Sequence, residues 1–126
     1  MESIGIDTID VLRFEKHAKN LESRFCKRVF TQHELGYLKS KKAASMAGLF
    51  AAKEAVAKAL GTGFRGFFPD EIEIKHDEQG APYVVLHGKA KVLAKDAKIL
   101  VSISHTKTTA IAVAYKLGGR AWTQKT

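Results

Sequence analysis

The sequence predicts an α+β domain in which a small, mainly antiparallel sheet packs on one long helix, with shorter helices beside it. Three observations carry this expectation. Several short segments alternate apolar and polar residues with the two-residue period of a strand. One alanine-rich stretch, about Lys42 to Leu60, has the composition of a helix. The joints between later strands are short: Gly80 and Pro82 punctuate one and "SHTK" forms the other, which suits hairpins.

In order, "SIGIDTID" reads as a strand, with Ile4 and Ile6 pointing one way and Gly5, Asp7 and Ile9 the other. Asp10 or a neighbour is placed to cap a helix running to about Asn20. A second helix covers roughly Leu21–Val29. Thr31, with Glu34 three residues on, is a capping-box pattern that opens a third. The long helix is expected to be half-buried, and Gly61 suits the left-handed position that ends it. "EIEIKHD" and "PYVVLHG" are partner strands around the Gly80–Pro82 turn. A short helix fits Lys89–Asp96. "KILVSIS" and "TTAIAVAYKL" form the last hairpin, with Ala110, Ala112 and Ala114 on one face to admit a helix closely. Residues 1–118 read as a single domain, and 119–126 as a frayed C-terminal tail.

The 126 residues suit one domain with a modest core. No apolar run is long enough to span a bilayer, and the first residues lack a signal-peptide pattern. Cys26 is the only cysteine, which excludes an intrachain disulfide and a cysteine-rich zinc site. A reducing, cytoplasmic setting is the expectation, with no membrane partner. The net charge of +8 calls for an acidic partner. From Arg13 to Arg28 the chain carries Arg13, Lys16, Lys19, Arg24, Lys27 and Arg28 against Glu15 and Glu22. This run is either a solvated helix face or a docking surface. No aromatic-rich basic motif accompanies it, which argues against nucleic acid.

Two carboxylates stand out. Glu54 emerges from a helical stripe of Ala47, Phe50, Ala57 and Gly61. Its plain partner is Lys58 at i+4. Lys53 lies on the Leu49/Val56/Leu60 side, where it can snorkel. Asp7 interrupts an Ile-rich strand, and Gly5 on the same face leaves room for a ligand or a backbone. Asp7 either caps a turn, pairs with an arginine, or joins Glu54 in a sparse hard-cation site of the kind Mg²⁺ accepts with phosphate oxygens. "GTGFRG" follows a helix and lacks the Walker lysine, so it is no P-loop. It is a helix stop or an anion-binding nest, with Lys58 and Arg65 beside it. Ser104, His105 and Thr106 form no triad, because neighbours on a strand face opposite ways. They are a polar turn or phosphate contacts.

These blocks together resemble the bacterial holo-[acyl-carrier-protein] synthases, which are 4′-phosphopantetheinyl transferases. "IGIDTIDVLRFE" is similar to the family's Gly-x-Asp-x-x-(Glu/Asp)-x-x-Arg pattern, "FAAKEAVAKALGTG" is nearly its signature, and "VSISHTKTTAIAVA" resembles its C-terminal hairpin. "DEQGAPYV" resembles its central turn. The likeness spans about residues 3–116.

The resemblance implies a 4′-phosphopantetheinyl transferase fold and a homotrimer with coenzyme A bound at subunit interfaces. Asp7 and Glu54 match the ligands of Mg²⁺, with Mn²⁺ as a substitute. Lys53 and Lys58 match basic groups near the phosphates. Gly61, Thr62, Gly63, Pro82, Ser104, His105 and Thr106 match the coenzyme site. Arg13, Lys16, Arg24 and Arg28 match the surface for an acidic acyl carrier protein. The implied reaction moves phosphopantetheine from coenzyme A to a carrier-protein serine, releases 3′,5′-ADP and serves fatty acid biosynthesis. A water at the metal, or Asp7 through it, takes the serine proton, with Lys58 or Lys53 as the alternative. Two positions depart from the pattern. Leu49 stands where a basic residue is common, so that Lys41 or Lys42 would supply the contact. Ala81 stands where a lysine is common.

Overall fold

A computed structural model describes residues 2–118 of the chain. The expected tail, 119–126, lies outside the described residues. β1 (Ser3–Asp10) pairs antiparallel with β5 (Thr109–Leu117), and β5 pairs with β4 (Lys98–His105), giving a three-stranded sheet in the order β1-β5-β4. β2 (Ile72–His76) and β3 (Pro82–Leu86) form a separate two-stranded sheet. The single sheet expected from sequence is therefore split in two. Alternation identifies a strand, but carries nothing about which strands share hydrogen bonds.

The long helix, α4 (Ala43–Leu60), crosses the inner face of the larger sheet. Ala110, Ala112 and Ala114 of β5 are all buried there, so the helix comes close. Gly5 allows the closest approach: a Cβ built on it would stand 1.9 Å from the Ala55 carbonyl oxygen. The absence of a side chain there thus makes room for the α4 backbone. α4 is not half-buried as expected. From Met46 to Leu60 only Glu54 and Lys58 lack full burial. A helix apolar nearly all round belongs inside. Phe14 packs on Phe50 with ring centroids 5.2 Å apart, closing the core beside β1.

The helix starts follow local chemistry, with two corrections. Asp10 makes no side-chain cap. The Val11 N–H donates to the Thr108 carbonyl at 2.9 Å, and a 3₁₀ turn, Val11–Phe14, leads into a short α1 (Glu15–Ala18). The second helix, α2 (Arg24–Val29), begins later than expected because Ser23 caps it by accepting from the Cys26 N–H at 3.1 Å. The Thr31–Glu34 capping box opens α3 (Gln32–Leu38) as read from sequence. Gly61 closes α4 at φ 97°. The last helix, α5 (Gly88–Ala94), is capped from a distance: Glu71 Oε1 accepts from the N–H groups of Lys89 at 2.7 Å and Ala90 at 3.2 Å. No described helix is long and apolar enough to cross a membrane.

Candidate active site

Strand alternation turns Asp7 of β1 toward α4, opposite Ala112 of β5. From α4, Lys58 donates to Asp7 Oδ1 at 3.2 Å and to the Ile6 carbonyl at 2.9 Å. Asp7 Oδ2 is buried and has no hydrogen-bond partner among the described residues. Glu54 stands one turn before Lys58. Burial and then the Asp7 carboxylate push its carboxyl above the usual range, while Lys58 and Arg13 act against the rise. Lys58 therefore serves Asp7 rather than forming the plain helix pair with Glu54. The two sequence-predicted carboxylates are brought together, close enough to raise one proton affinity.

Arg13 borders the same place. Its guanidinium lies 5.4 Å from the ring centroid of Phe50, which is one turn before Glu54, and 5.5 Å from that of Phe14. Lys16, Arg24 and Arg28 are exposed on α1 and α2.

Lys53 is elsewhere. Its side chain is 0% exposed and its ammonium faces Glu34 Oε1 at 2.8 Å. It also donates to the carbonyls of Ile72 at 2.6 Å and Pro69 at 3.1 Å. Burial pushes its pKa down and Glu34 opposes that. All three ammonium donors are used inside the core. The expectations that Lys53 snorkels, binds the coenzyme or takes a proton are corrected: it ties α4 to α3 and β2.

His105 and Thr106 line a cleft of about 700 Å³ at the start of α4, together with Lys41, Lys42, Ser45 and Lys107. Pro82 lines an adjoining cavity of about 150 Å³ that shares Ser45 and His105 with it. Ser104 is separated from both, because it pairs with Ile111 on the outer sheet face. The Gly61 N–H donates to the Lys58 carbonyl and the Gly63 N–H to the Ala57 carbonyl. Those two groups close the helix, which removes them from an anion nest, and Thr62 Oγ1 donates to the Gly63 carbonyl at 3.0 Å.

Comparison with known proteins decides the family. The profile described as the 4′-phosphopantetheinyl transferase superfamily matches residues 3–114. The chain belongs to this superfamily. Among curated superfamily members it is 50% identical over 122 residues to the holo-[acyl-carrier-protein] synthase of Thermoanaerobacter sp. (strain X514), covering 92% of this chain and 87% of that protein. The Plasmodium yoelii acyl carrier protein synthase with ADP bound superposes with a TM-score of 0.80 at 34% identity, covering 95% of this chain and 99% of that one. The Helicobacter pylori holo-[acyl-carrier-protein] synthase in complex with coenzyme A gives a TM-score of 0.77 at 33% identity, covering 88% and 96%.

Sequence reasoning missed three participants. Glu34 was read only as a cap, although it also accepts from the Ile74 N–H at 2.7 Å and neutralises Lys53. Tyr37 and His76 meet from distant segments, and no local pattern announces a contact of that kind.

Proposed function

We propose that the chain transfers the 4′-phosphopantetheine group of coenzyme A to a serine of apo acyl carrier protein, giving the holo form and 3′,5′-ADP. The observation that carries the site assignment is Asp7 beside Glu54, with one buried carboxylate oxygen left unpartnered. The superfamily membership and the synthase relatives support the reaction.

A pair of half-buried carboxylates, one with an unsatisfied oxygen, fits a hard divalent cation. Asp7 and Glu54 would hold Mg²⁺, or Mn²⁺, which when bound supplies neutralisation of the diphosphate charge. Lys58 fixes Asp7 through Oδ1, leaves Oδ2 for the ligand, and adds positive charge near the phosphates. The serine oxygen forms a bond to the β-phosphorus. The bond from that phosphorus to the bridging oxygen breaks, and 3′,5′-ADP departs with the electron pair. The serine proton passes to the carboxylate pair, directly or through water. Positioning and electrostatics carry the rate. Lys53 takes no part, because its donors are committed to the core.

Arg13, Lys16, Arg24 and Arg28 form the docking surface for the acidic carrier protein, and Arg13 joins it to the carboxylates. The nucleotide end of coenzyme A occupies the His105–Thr106 cleft and the Pro82 cavity, with Thr62 beside the diphosphate. Residues 1–118 form the catalytic domain, which works in the cytoplasm as a homotrimer. Support for the trimer comes from the outer face of the larger sheet, where Ile4, Ile6, Leu100, Ile111 and Val113 stand exposed. A contiguous apolar face of this kind marks an association surface. Ser104, opposite Ile111, stands on that same outer face.

The test is turnover of Asp7→Asn and Glu54→Gln. Each is expected to lose at least about 100-fold in kcat while unfolding like the parent protein. Near-normal turnover by either variant contradicts the assignment.

A further inference from the structure

The two sheets do not join. Among the described residues β3 bonds only to β2, and β4 only to β5, yet β3 lies beside β4. The seam between them is a groove of about 510 Å³, a size that suits a small molecule. Its walls are apolar, with Val84 and Leu86 on the β3 side and Ala97 and Ile99 on the β4 side. The Tyr83 ring stands 45% exposed at its edge. The groove shares no lining residue with the His105–Thr106 cleft or the Pro82 cavity.

Three exposed cations line the same groove: Lys91, Lys95 and Lys98. No carboxylate lines it, and none of the three lysines pairs with one among the described residues. Lys95 is held there against its own backbone preference. It has φ 57° and ψ −123°, and no other non-glycine among the described residues has a positive φ. The Ala97 N–H donates to the Ala94 carbonyl at 3.0 Å. Lys95 therefore has the conformation of the first central position of a type II′ turn, where glycine is the ordinary residue. A lysine strains the chain at this point and glycine would not. What the lysine adds is an ammonium on the groove wall.

Apolar walls beneath three uncompensated ammoniums complement a ligand that is apolar at one end and strongly anionic at the other. A carboxylate offers one charge. A phosphate monoester offers about 1.5 to 2 at pH 7, with three strong acceptor oxygens. We propose that the seam between β3 and β4 is a binding site for a single-chain alkyl phosphate. Its chain lies along Tyr83, Val84 and Ile99, and its phosphate sits among Lys91, Lys95 and Lys98. The site is separate from the carboxylate pair and does not depend on the transferase reading.

The experiment is calorimetric titration of the full chain with dodecyl phosphate below its micelle concentration. Saturable binding is expected. Inorganic phosphate lacks the chain and dodecyl maltoside lacks the charge, and each is expected to bind at least about tenfold more weakly. Lys95→Gly is expected to weaken dodecyl phosphate about tenfold, as loss of a hydrogen bond to a charged group does. It keeps the parent fold, because glycine suits the turn. Lys98→Ala, at an exposed strand position, weakens it similarly and carries the test if Lys95→Gly fails to fold. Lys39→Ala, an exposed lysine outside the groove, changes nothing, and saturating 3′,5′-ADP leaves the affinity unaltered. Absence of saturable binding, equal affinity for dodecyl maltoside, parent-like affinity in both groove variants, or displacement by 3′,5′-ADP overturns the inference.

Discussion

Lys53 and Glu34 form an ion pair at 2.8 Å with neither side chain open to solvent. The pair is tied into a wider network. Glu34 Oε1 also accepts from the Thr31 N–H at 2.9 Å, and Thr31 Oγ1 donates to Glu73 Oε2 at 2.6 Å. His87 completes the chain on Glu73 Oε1 at 2.9 Å. The conspicuous lysine of the long helix is thus structural, while the carboxyl of the glutamate next to it feels the Asp7 carboxylate.

Removing one partner of such a pair leaves the other charge buried alone. Lys53→Met is expected to cost about 3–5 kcal/mol of stability, read by guanidinium unfolding. A loss under about 1 kcal/mol shows that Glu34 finds another partner, and returns Lys53 to consideration at the active site.

Gly5 sets how closely β1 approaches α4. A Cβ there meets the Ala55 carbonyl at 1.9 Å and the Ala59 nitrogen at 2.8 Å, both backbone atoms that cannot rotate away. Gly5→Ala is expected to lower the unfolding midpoint and, by moving β1 off α4, to reduce kcat through the Asp7–Lys58–Glu54 geometry. Gly36 lies inside α3, with nothing within 4 Å of the corresponding Cβ. Gly36→Ala is expected to stabilise by about 0.5–1 kcal/mol without changing kcat. Parent-like stability and turnover in Gly5→Ala contradict the close-approach account.

Acid stability follows Glu73. Burial opposes its ionisation, but the hydrogen bonds from Thr31 and His87 outweigh that and hold its pKa below the ordinary value. A depressed folded-state pKa contributes stability above the unfolded value of about 4.3, and that contribution is lost as pH falls through the folded value. The parent protein is therefore expected to exceed Glu73→Gln in unfolding free energy at pH 7 by about 1–3 kcal/mol. The gap narrows only below about pH 4.3. A gap that stays constant down to pH 3 rules out this role.

The fold and the meeting of the two carboxylates were legible where the signal is local. Asp7 follows from strand alternation, Glu54 from helical spacing, Gly61 from its place at a helix end, and Thr31–Glu34 from a three-residue motif. What stayed hidden depends on segments far apart in the chain. Lys53 finds its counter-charge in Glu34 on another helix, so it reads from sequence like any basic residue beside a signature glutamate. Glu71 caps α5 from outside that helix. Ser23 replaced a longer helix start, and Asp10, although it stands at the cap position, makes no side-chain cap. The split sheet rests on tertiary pairing that no strand declares by itself.

Metal-dependent transfer of phosphopantetheine at the Asp7–Glu54 pair is the proposal on which the other functional predictions stand. The most direct measurement is mass spectrometry of apo acyl carrier protein incubated with the full chain, coenzyme A and Mg²⁺, with an EDTA control and Glu54→Gln alongside. The expected result is a mass gain of one phosphopantetheine with 3′,5′-ADP released, abolished by EDTA and by Glu54→Gln. A gain of the same size in EDTA or with Glu54→Gln, or no gain from the folded parent protein with several carrier proteins, contradicts it.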